Sequence, residues 1–168
     1  MATEQKITGN SSGVELRQLD HQPILSIREN IRTEQLGETM GERLQALQAY
    51  LRQSGAQPAG PPFVRYHTFS DTETDMELGV PLKEPAAGEG RIAAGELPGG
   101  SAAVTEHLGA HDKLGEAYGR IAAWVEENHR ESAGPAREVY YWIDLSKDLD
   151  PSGWDPSTWR TELIQPVK

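Results

Sequence analysis

One short stretch in the second half of the sequence carries residues of the types needed for acid–base chemistry. Glu138 and Tyr140 are two positions apart, so on a β-strand their side chains would lie on the same face. A carboxyl group buried beside aromatic rings tends to take up a proton, which would suit Glu138 to general acid or base catalysis. The same pair would equally suit a flat or cationic organic guest, because the carboxylate supplies charge and the rings supply stacking surface.

Two more glutamates occupy matching positions in two similar stretches of the chain. Glu77 lies in the stretch MELGVP and Glu162 in the stretch TELIQP. If these stretches belong to units that pair about a pseudo-twofold axis, we expect both carboxylates to meet across a central groove. A second interpretation places them at solvated strand edges or in ion pairs. Tyr118 and Trp124 fall on the apolar face of a predicted helix and are interpreted as core residues.

Several other kinds of site are excluded or disfavoured. The chain has no cysteine, which rules out disulfides, thiolate nucleophiles and Cys-ligated metal sites. His107 and His111 are close in sequence, but a predicted strand-to-helix turn separates them, and no H-E-x-x-H pattern is present. Neither a nucleophile elbow nor a phosphate-binding glycine loop occurs in the required strand–loop–helix context. We therefore expect no metal and no other cofactor.

One acidic segment resembles part of a calcium-binding loop. The last ligand of such a loop should be a bidentate glutamate, but that position is Trp159, and a proline interrupts the segment. We therefore interpret the segment as a solvated acidic turn. The residues whose spacing does match are Asp148, Asp150, Ser152 and Gly153.

The overall charge narrows the range of partners. With 16 Lys and Arg against 26 Asp and Glu, the 168-residue chain has a formal net charge of −10. Such a chain repels phosphate backbones, so we predict no direct nucleic-acid binding. No apolar run approaches the ~20 residues that span a bilayer. Residues 1–13 are polar and lack the apolar core of a signal peptide. We predict a cytoplasmic protein without membrane contact, with a disordered tail over residues 1–13.

An internal repeat organises the rest of the chain. The run LGETMG at residues 36–41 returns as LGEAYG at residues 114–119, and a Gly-Pro pair precedes an aromatic-rich stretch in both copies. The chain is therefore predicted to hold two similar halves, residues 14–82 and 91–168. The Pro-, Gly- and Ala-rich linker 83–90 would join them.

The hydrophobic pattern predicts the order β-β-α-β-β in each half. Apolar residues at helical spacing predict helices over 36–51 and 114–125. The turn Pro98-Gly99-Gly100 predicts a tight hairpin between two strands. The fold class expected is α+β, with tandem units forming a pseudo-twofold antiparallel sheet, two helices on one face and a central ligand groove. The strands are predicted over 14–19, 24–31, 63–69, 75–82, 91–97, 102–108, 138–143 and 158–166.

These stretches together resemble the GyrI-like, or AraC-type effector-binding, domain family. The resemblance is carried in the second half by HLGAHDKLGEAYGRIAAW at residues 107–124, by GPAREVY at residues 134–140 and by the closing TELIQP. The runs GPPFVRYH at residues 60–67 and MELGVP match in the first half. The resemblance extends over residues 14–168.

The resemblance implies an α+β pseudo-dimer whose halves enclose a groove for small, often aromatic or cationic, compounds. Many relatives carry this domain after a helix-turn-helix domain, but this chain resembles the stand-alone kind. Stand-alone relatives include a gyrase-inhibitory protein and hydrolases that open cyclopropane-bearing toxins with a pocket glutamate. Three roles stay open: capture of a small organic ligand, hydrolysis of an electrophilic one, and binding to a protein partner such as gyrase.

The resemblance also implies a set of site residues. Glu138 is the leading pocket carboxylate and would act with Tyr140 if the protein is an enzyme. Trp159 falls where multidrug-binding relatives place a stacking aromatic, and His111 falls where tyrosine is frequent. Drug-sensing relatives have an acidic residue where this chain has Tyr141. The expected ligand-binding residues are Tyr66, His67, Glu77, His111, Glu138, Tyr141, Trp159 and Glu162.

Overall fold

The computed structural model describes residues 4–6, 13–147, 149 and 155–168. Over these residues the chain forms one antiparallel sheet, curled into a half-barrel, and two α-helices. The helices are α1 (Leu36–Ser54) and α2 (Leu114–Glu127). The strands are β1 (Glu4–Lys6), β2 (Glu15–Leu19), β3 (Gln22–Arg32), β4 (Phe63–Phe69), β5 (Glu73–Pro81), β6 (Ala93–Leu97), β7 (Gly100–Leu108), β8 (Arg137–Tyr140) and β9 (Arg160–Pro166).

The strand order confirms the predicted α+β fold with two β-β-α-β-β units. It runs β1-β2-β7-β9-β8-β4-β5-β3-β6, so the two halves meet where β8 pairs with β4. At this seam Val64 lies directly opposite Glu138. Glu77 lies opposite Arg65 on one side of the seam, and Glu162 lies opposite Val139 on the other. The two glutamates therefore occupy equivalent positions about a pseudo-twofold axis, as the repeat predicts.

The hairpin predicted around Pro98-Gly99-Gly100 at the start of the second half is wrong. Strand β2 pairs with β7 of the second half, and β6 pairs with β3 of the first half. The chain does change direction at Pro98-Gly99-Gly100, but β6 lies at one edge of the sheet and β7 lies near the other edge. A turn signal in the sequence indicates only that the chain changes direction. It does not determine which strand the following segment pairs with, because the backbone groups of a strand can bond to any free strand edge. The two halves are consequently interlocked through their first strands, and their exact bounds stay a prediction.

The N-terminal segment differs from the predicted disordered tail at three residues. Glu4–Lys6 form β1, which pairs with the outer edge of β2. An exposed strand edge offers unpaired backbone groups, which explains why a polar segment adds to it. Residues 1–3 and 7–12 lie outside the described residues, so for them the tail stays a prediction. The calcium-like residues Asp148, Asp150, Ser152 and Gly153 also lie outside the described residues.

Each helix covers one half of the same sheet face. The apolar side of α1 buries Leu44, Leu47 and Leu51, and the helix ends at Gly55, whose φ of 77° is the left-handed conformation that favours glycine. The apolar side of α2 buries Ile121 and Trp124. Trp124 is only 1 % exposed, in agreement with the core role predicted for it.

The opposite sheet face is also partly buried, because the sheet curls. Phe63 packs there with Ile24 and Leu97 in a small apolar cluster. The ring of Phe63 lies over Gly79, its partner on β5. A methyl group added at Gly79 would stand 2.6 Å from this ring, which is far inside van der Waals contact. Gly79 is thus the position at which Phe63 can lie flat against the sheet.

This packing predicts different effects for two glycine substitutions in strands. Gly79→Ala should lower the free energy of unfolding by about 1–3 kcal/mol, because the new methyl group must displace the buried Phe63 ring. Gly95→Ala is the matched control, since its methyl group would meet Ile24 at an ordinary 3.6 Å. Urea denaturation of both variants measures the difference. Equal stabilities of the two variants would contradict the proposed clash.

Candidate functional site

The centre of the site is a carboxyl group buried under the helices. Glu138 and Tyr140 share the helix-covered face of β8, as their spacing predicts, and Glu138 is only 4 % exposed. The Tyr140 hydroxyl donates to Glu138 Oε1 at 2.7 Å. The Tyr118 hydroxyl donates to Glu138 Oε2 at 2.5 Å from α2. Both oxygens therefore have a phenolic donor, which offsets part of the penalty for burying the carboxyl group.

Protonation in this cluster follows from burial. Burial raises the pKa of Glu138, although the hydrogen bonds from Tyr118 and Tyr140 oppose the shift. Burial and the nearby Glu138 charge raise the pKa of Tyr118, Tyr140 and Tyr66 above the ordinary phenol value. The three hydroxyls thus stay protonated, and the carboxyl group has an increased tendency to do so. The arrangement is that of a general acid or base held among hydrogen-bond donors.

Tyr118 is a site residue that the sequence reasoning missed. Its helical position predicts a core residue, and its ring does pack beside the α2 cluster. Its hydroxyl, however, needs a partner when the ring is buried, and that partner is Glu138. A tyrosine on an otherwise apolar helix face is the sequence signal that would have indicated this role.

A layer of aromatic rings lies beside the carboxyl cluster. Trp142 and Trp159 stack in parallel, with ring centroids 4.3 Å apart. The His111 ring stands edge-on to both, at 5.1 and 5.2 Å. Tyr140 contacts both His111 and Trp142, at 5.5 and 4.9 Å, and so connects this aromatic layer to Glu138. We call these four residues, His111, Tyr140, Trp142 and Trp159, the aromatic layer.

Trp142 is the second site residue that the sequence reasoning missed. The predicted strand 138–143 ends at Tyr140, where Ile143 N donates to Tyr140 O at 3.2 Å and closes a turn. This turn carries Trp142 out of the sheet and against Trp159. Alternation along the predicted strand already puts Trp142 on the same face as Glu138 and Tyr140, and this is the sequence signal that could have indicated its role.

The aromatic layer borders a cavity of about 290 Å³ next to the first turns of α1. Of the predicted ligand-binding residues, His111 and Trp159 line it, whereas Glu138 and Tyr66 do not. The described lining is aromatic and apolar and contains no carboxylate. The acidic character predicted for the groove stays a prediction. The lining residues are Gly37, Met40, Gly41, Leu44, Gln45, His111, Trp142, Ile143, Leu149 and Trp159.

His111 is the polar residue of this cavity wall whose environment is best defined. Its Nε2 lies 2.9 Å from the Thr161 hydroxyl, which fixes the ring plane. Burial lowers the pKa of His111, and the neighbouring His107 adds to the shift. The imidazole therefore favours its neutral form at neutral pH.

The remaining predicted residues lie on the opposite face of the sheet. Glu77 accepts hydrogen bonds from Ser26 at 2.6 Å and from Arg65 at 3.0 Å, and it contacts His67 at 2.9 Å. Burial alone would raise the pKa of Glu77, but these hydrogen bonds and the Arg65 charge hold it below the usual value. Glu77 and His67 are thus parts of an ion-pair cluster and are separated from Glu138 by the sheet.

Glu162 repeats this arrangement in the second half. It pairs with Arg17 at 3.1 Å and accepts a hydrogen bond from Tyr141 at 3.1 Å. The Arg160 guanidinium lies 4.0 Å above the ring of Tyr141. Tyr141 therefore faces Glu162 and not Glu138. The structure brings together Tyr66, His111, Glu138, Tyr140 and Trp159 on the helix-covered face, and His67, Glu77, Tyr141 and Glu162 on the other.

The fold and the site match one protein family. The model of the family described as GyrI-like small molecule binding domain matches residues 13–168. The chain belongs to this family. As a GyrI-like domain, it shows no cluster of three or more His, Asp or Glu arranged to hold a metal among its described residues. Neither of its described helices combines the length and apolar character that crossing a bilayer requires.

Solved structures with the same fold include two of EcmrR. The EcmrR C-terminal domain is 22 % identical and superposes with a TM-score of 0.76, covering 92 % of this chain and 96 % of that one. The full EcmrR in a DNA complex is 21 % identical, with a TM-score of 0.78, covering 92 % of this chain; this chain spans only 57 % of its length. These likenesses establish the shared fold.

Two further structures carry informative names. SAV2435, bound to tetraphenylphosphonium, is 16 % identical, with a TM-score of 0.60 over 92 % of this chain and 93 % of that one. A hydrolase encoded by lin2189 from Listeria innocua is 11 % identical, with a TM-score of 0.62 over 96 % and 94 %. Comparison with curated proteins finds no match.

The two buried glutamates predict opposite effects on stability as pH changes. The folded-state pKa of Glu138 is raised above 4.5, so its contribution to stability falls as pH rises through the window between the two values. The folded-state pKa of Glu77 is lowered below 4.5, so its contribution is present above 4.5 and is lost as pH falls through the folded-state value. Glu138→Gln and Glu77→Gln remove one contribution each.

These two opposite pH effects are tested by measuring the free energy of unfolding of the wild type and both variants in denaturant, from acidic to neutral pH. With rising pH, Glu138→Gln should gain stability relative to the wild type, whereas Glu77→Gln should lose it. Each variant serves as the control for the other, because both replace a buried carboxyl group by an amide of the same shape. A pH-independent difference between the wild type and Glu138→Gln would contradict the raised pKa.

Proposed function

We propose that this protein captures an aromatic organic compound, neutral or cationic, in the cavity beside the aromatic layer, and so sequesters or senses it in the cytoplasm. The observation that carries the proposal is the stacked pair of Trp142 and Trp159, with His111 edge-on to both, at the wall of a 290 Å³ cavity. The inner faces of the two rings cover each other, so a flat guest would stack on an outer face of the pair.

The size and lining of the cavity support small-molecule binding. A volume of 290 Å³ lies near the lower end of the range of ligand pockets, which starts at about 300 Å³. Met40 and Leu44 supply apolar walls from α1, opposite the rings of the second half. An aromatic contact contributes about 0.5–1.5 kcal/mol beyond its buried area, so a few such contacts give useful affinity.

Membership of the family supports the same role. The family is described as a small molecule binding domain, and it matches nearly the whole chain. SAV2435 shares the fold and binds tetraphenylphosphonium, an aromatic cation. We therefore infer that the guest of this chain is an organic compound with aromatic rings.

Trp159→Ala tests the proposal directly. Loss of this ring should weaken binding of acridine and acriflavine by at least about tenfold, because the guest loses a stacking face and buried apolar area. Isothermal titration calorimetry measures the affinity without relying on tryptophan emission. Trp124→Phe is the matched control, since Trp124 is buried in the α2 core away from the cavity. Equal affinities of the wild type and Trp159→Ala would contradict the proposed site.

A hydrolase is the second candidate, favoured by the carboxyl group of Glu138 between two phenolic donors. In the reaction, Glu138 takes a proton from a water molecule whose oxygen attacks a strained, electrophilic ring carbon. A new C–O bond forms, the ring C–C bond breaks, and its electron pair moves through the conjugated system to a carbonyl oxygen of the compound. Tyr140 turns its hydroxyl from Glu138 to donate to this oxygen, which finally takes the proton that Glu138 accepted and becomes a hydroxyl group. Two structures of this fold from Listeria innocua are named hydrolases, which supports the candidate. Tyr141 does not fit the donor role, because its hydroxyl faces Glu162.

Turnover of a cyclopropane-bearing alkylator distinguishes the two candidates. If the protein is a hydrolase, ring-opened product should accumulate with the wild type, and Glu138→Gln should lower the rate at least about 100-fold, the usual loss on removing a general base. Liquid chromatography with mass detection follows the product. Glu116→Gln, which changes an exposed glutamate of α2, is the control. Undiminished turnover by Glu138→Gln would reject the role assigned to Glu138.

A further inference from the structure

The cavity beside the aromatic layer differs in charge from the other cavities of the described chain. Its described lining contains no Asp, Glu, Lys or Arg, although the whole chain carries a net charge of −10. The larger grooves of about 590 and 680 Å³ both include Lys83, with Asp144 in one and Glu84 in the other. A fourth cavity, of about 210 Å³, is lined by several ion-paired residues. The aromatic cavity thus offers a guest shape and ring faces, but no formal counter-charge.

The carboxyl group of Glu138 is insulated from this cavity. Glu138 is 4 % exposed, and its two oxygens are taken by Tyr118 and Tyr140. The fully buried ring of Tyr140 stands against His111 and Trp142, which form the cavity wall. Burial also raises the pKa of Glu138, which favours the uncharged acid. Among the described residues, a cation in the cavity would therefore find no exposed carboxylate to replace its hydration.

His111 adds no charge of its own to the wall. The groups that face it are the rings of Tyr140, Trp142 and Trp159, the Thr161 hydroxyl and, more distantly, His107. None of these is an acid that would stabilise an imidazolium. For a cation, a cation–π contact with tryptophan offsets only part of the free-energy cost of removing the ion from water. An anion would pay the same cost without that contact, so both cationic and anionic guests are disfavoured.

Two donors of the wall lack acceptors. The indole N–H groups of Trp142 and Trp159 are buried and have no hydrogen-bond partner among the described residues. An unsatisfied buried donor is costly, and a guest with an acceptor atom at the right place would remove that cost.

From these observations we propose that the cavity selects neutral, planar aromatic compounds that carry a hydrogen-bond acceptor, in preference to cations or anions of the same shape. This inference rests on the proposed binding function and narrows its ligand class. It separates the chain from a drug-binding domain that depends on a carboxylate exposed to a cationic guest. The acceptor would be a ring nitrogen or a carbonyl oxygen within reach of an indole N–H group.

Three probes with one ring system test the charge preference. Acridine is neutral, 10-methylacridinium is a permanent cation and acridine-9-carboxylate is an anion. Titration calorimetry at about pH 8 keeps His111 and acridine uncharged, and about 0.3 M salt screens general attraction of the cation to the acidic chain. Acridine should bind at least about tenfold more tightly than either charged probe. Equal or tighter binding of 10-methylacridinium would overturn the inference and leave the binding function intact.

The same probes distinguish the failure of the inference from the failure of the proposed function. If none of the three binds the wild type, or if Trp159→Ala binds them all as well as the wild type does, the binding function itself fails. Trp142→Phe and Trp159→Phe keep an aromatic ring but remove the N–H group. At least one of them should lose acridine affinity about tenfold while its weak affinity for 10-methylacridinium is unchanged. Wild-type acridine affinity in both variants would overturn the acceptor requirement.

Discussion

The burial of one carboxyl group at the seam between the two halves is the constraint on which the site depends. Glu138 lies opposite Val64, where the two halves of the sheet meet on the pseudo-twofold axis. A buried carboxyl group must be given hydrogen-bond donors or be protonated, and here it has two phenolic donors and a raised pKa. One donor comes from its own strand and the other from α2. The position of the second helix, the choice of tyrosines and the chemistry of the centre are therefore linked.

The alternation of side chains along the strands divides the remaining polar residues between two environments. At the centre of the helix-covered face, Tyr66, Tyr118 and Tyr140 surround the carboxyl group of Glu138. On the other face, Glu77 and Glu162 occupy equivalent positions and each is paired with an arginine. Arg137 lies on this second face opposite Arg65, where burial and the Arg65 charge lower the pKa of Arg137 to about 10. The sheet separates these ion pairs from the cavity, whose described lining contains no Asp, Glu, Lys or Arg.

The aromatic layer is positioned by a turn and by an anchor on the first helix. The turn after Tyr140 takes Trp142 out of the sheet, and Trp142 then stacks on Trp159 at the start of β9. Gln48, on the buried side of α1, donates to the backbone carbonyls of Leu145 and Lys147 and so holds the chain that follows the turn. The first half thus supplies the cavity wall and the anchor, and the second half supplies the rings.

Much of the architecture follows from the sequence by itself. The repeat, the helical spacing of leucines and the alternation in the strands determine two β-β-α-β-β units, the buried side of each helix and the shared face of Glu138 and Tyr140. The equivalence of Glu77 and Glu162 is likewise readable from their matching stretches. These features depend on the spacing of apolar and polar residues along a single element, and this spacing can be read directly from the sequence.

What the sequence leaves open depends on contacts between distant segments. Strand exchange between the halves is decided by which free edge β2 and β6 reach, and a turn signal does not encode this choice. The separation of Glu77 from Glu138, the donor role of Tyr118 and the stacking of Trp142 on Trp159 depend on which sheet face and which turn bring side chains together. The charge of the cavity is decided in the same way, because a carboxyl group acts on a guest only if the tertiary packing leaves it exposed. The composition makes the chain acidic, but the packing determines that the described residues lining the aromatic cavity include no Asp, Glu, Lys or Arg.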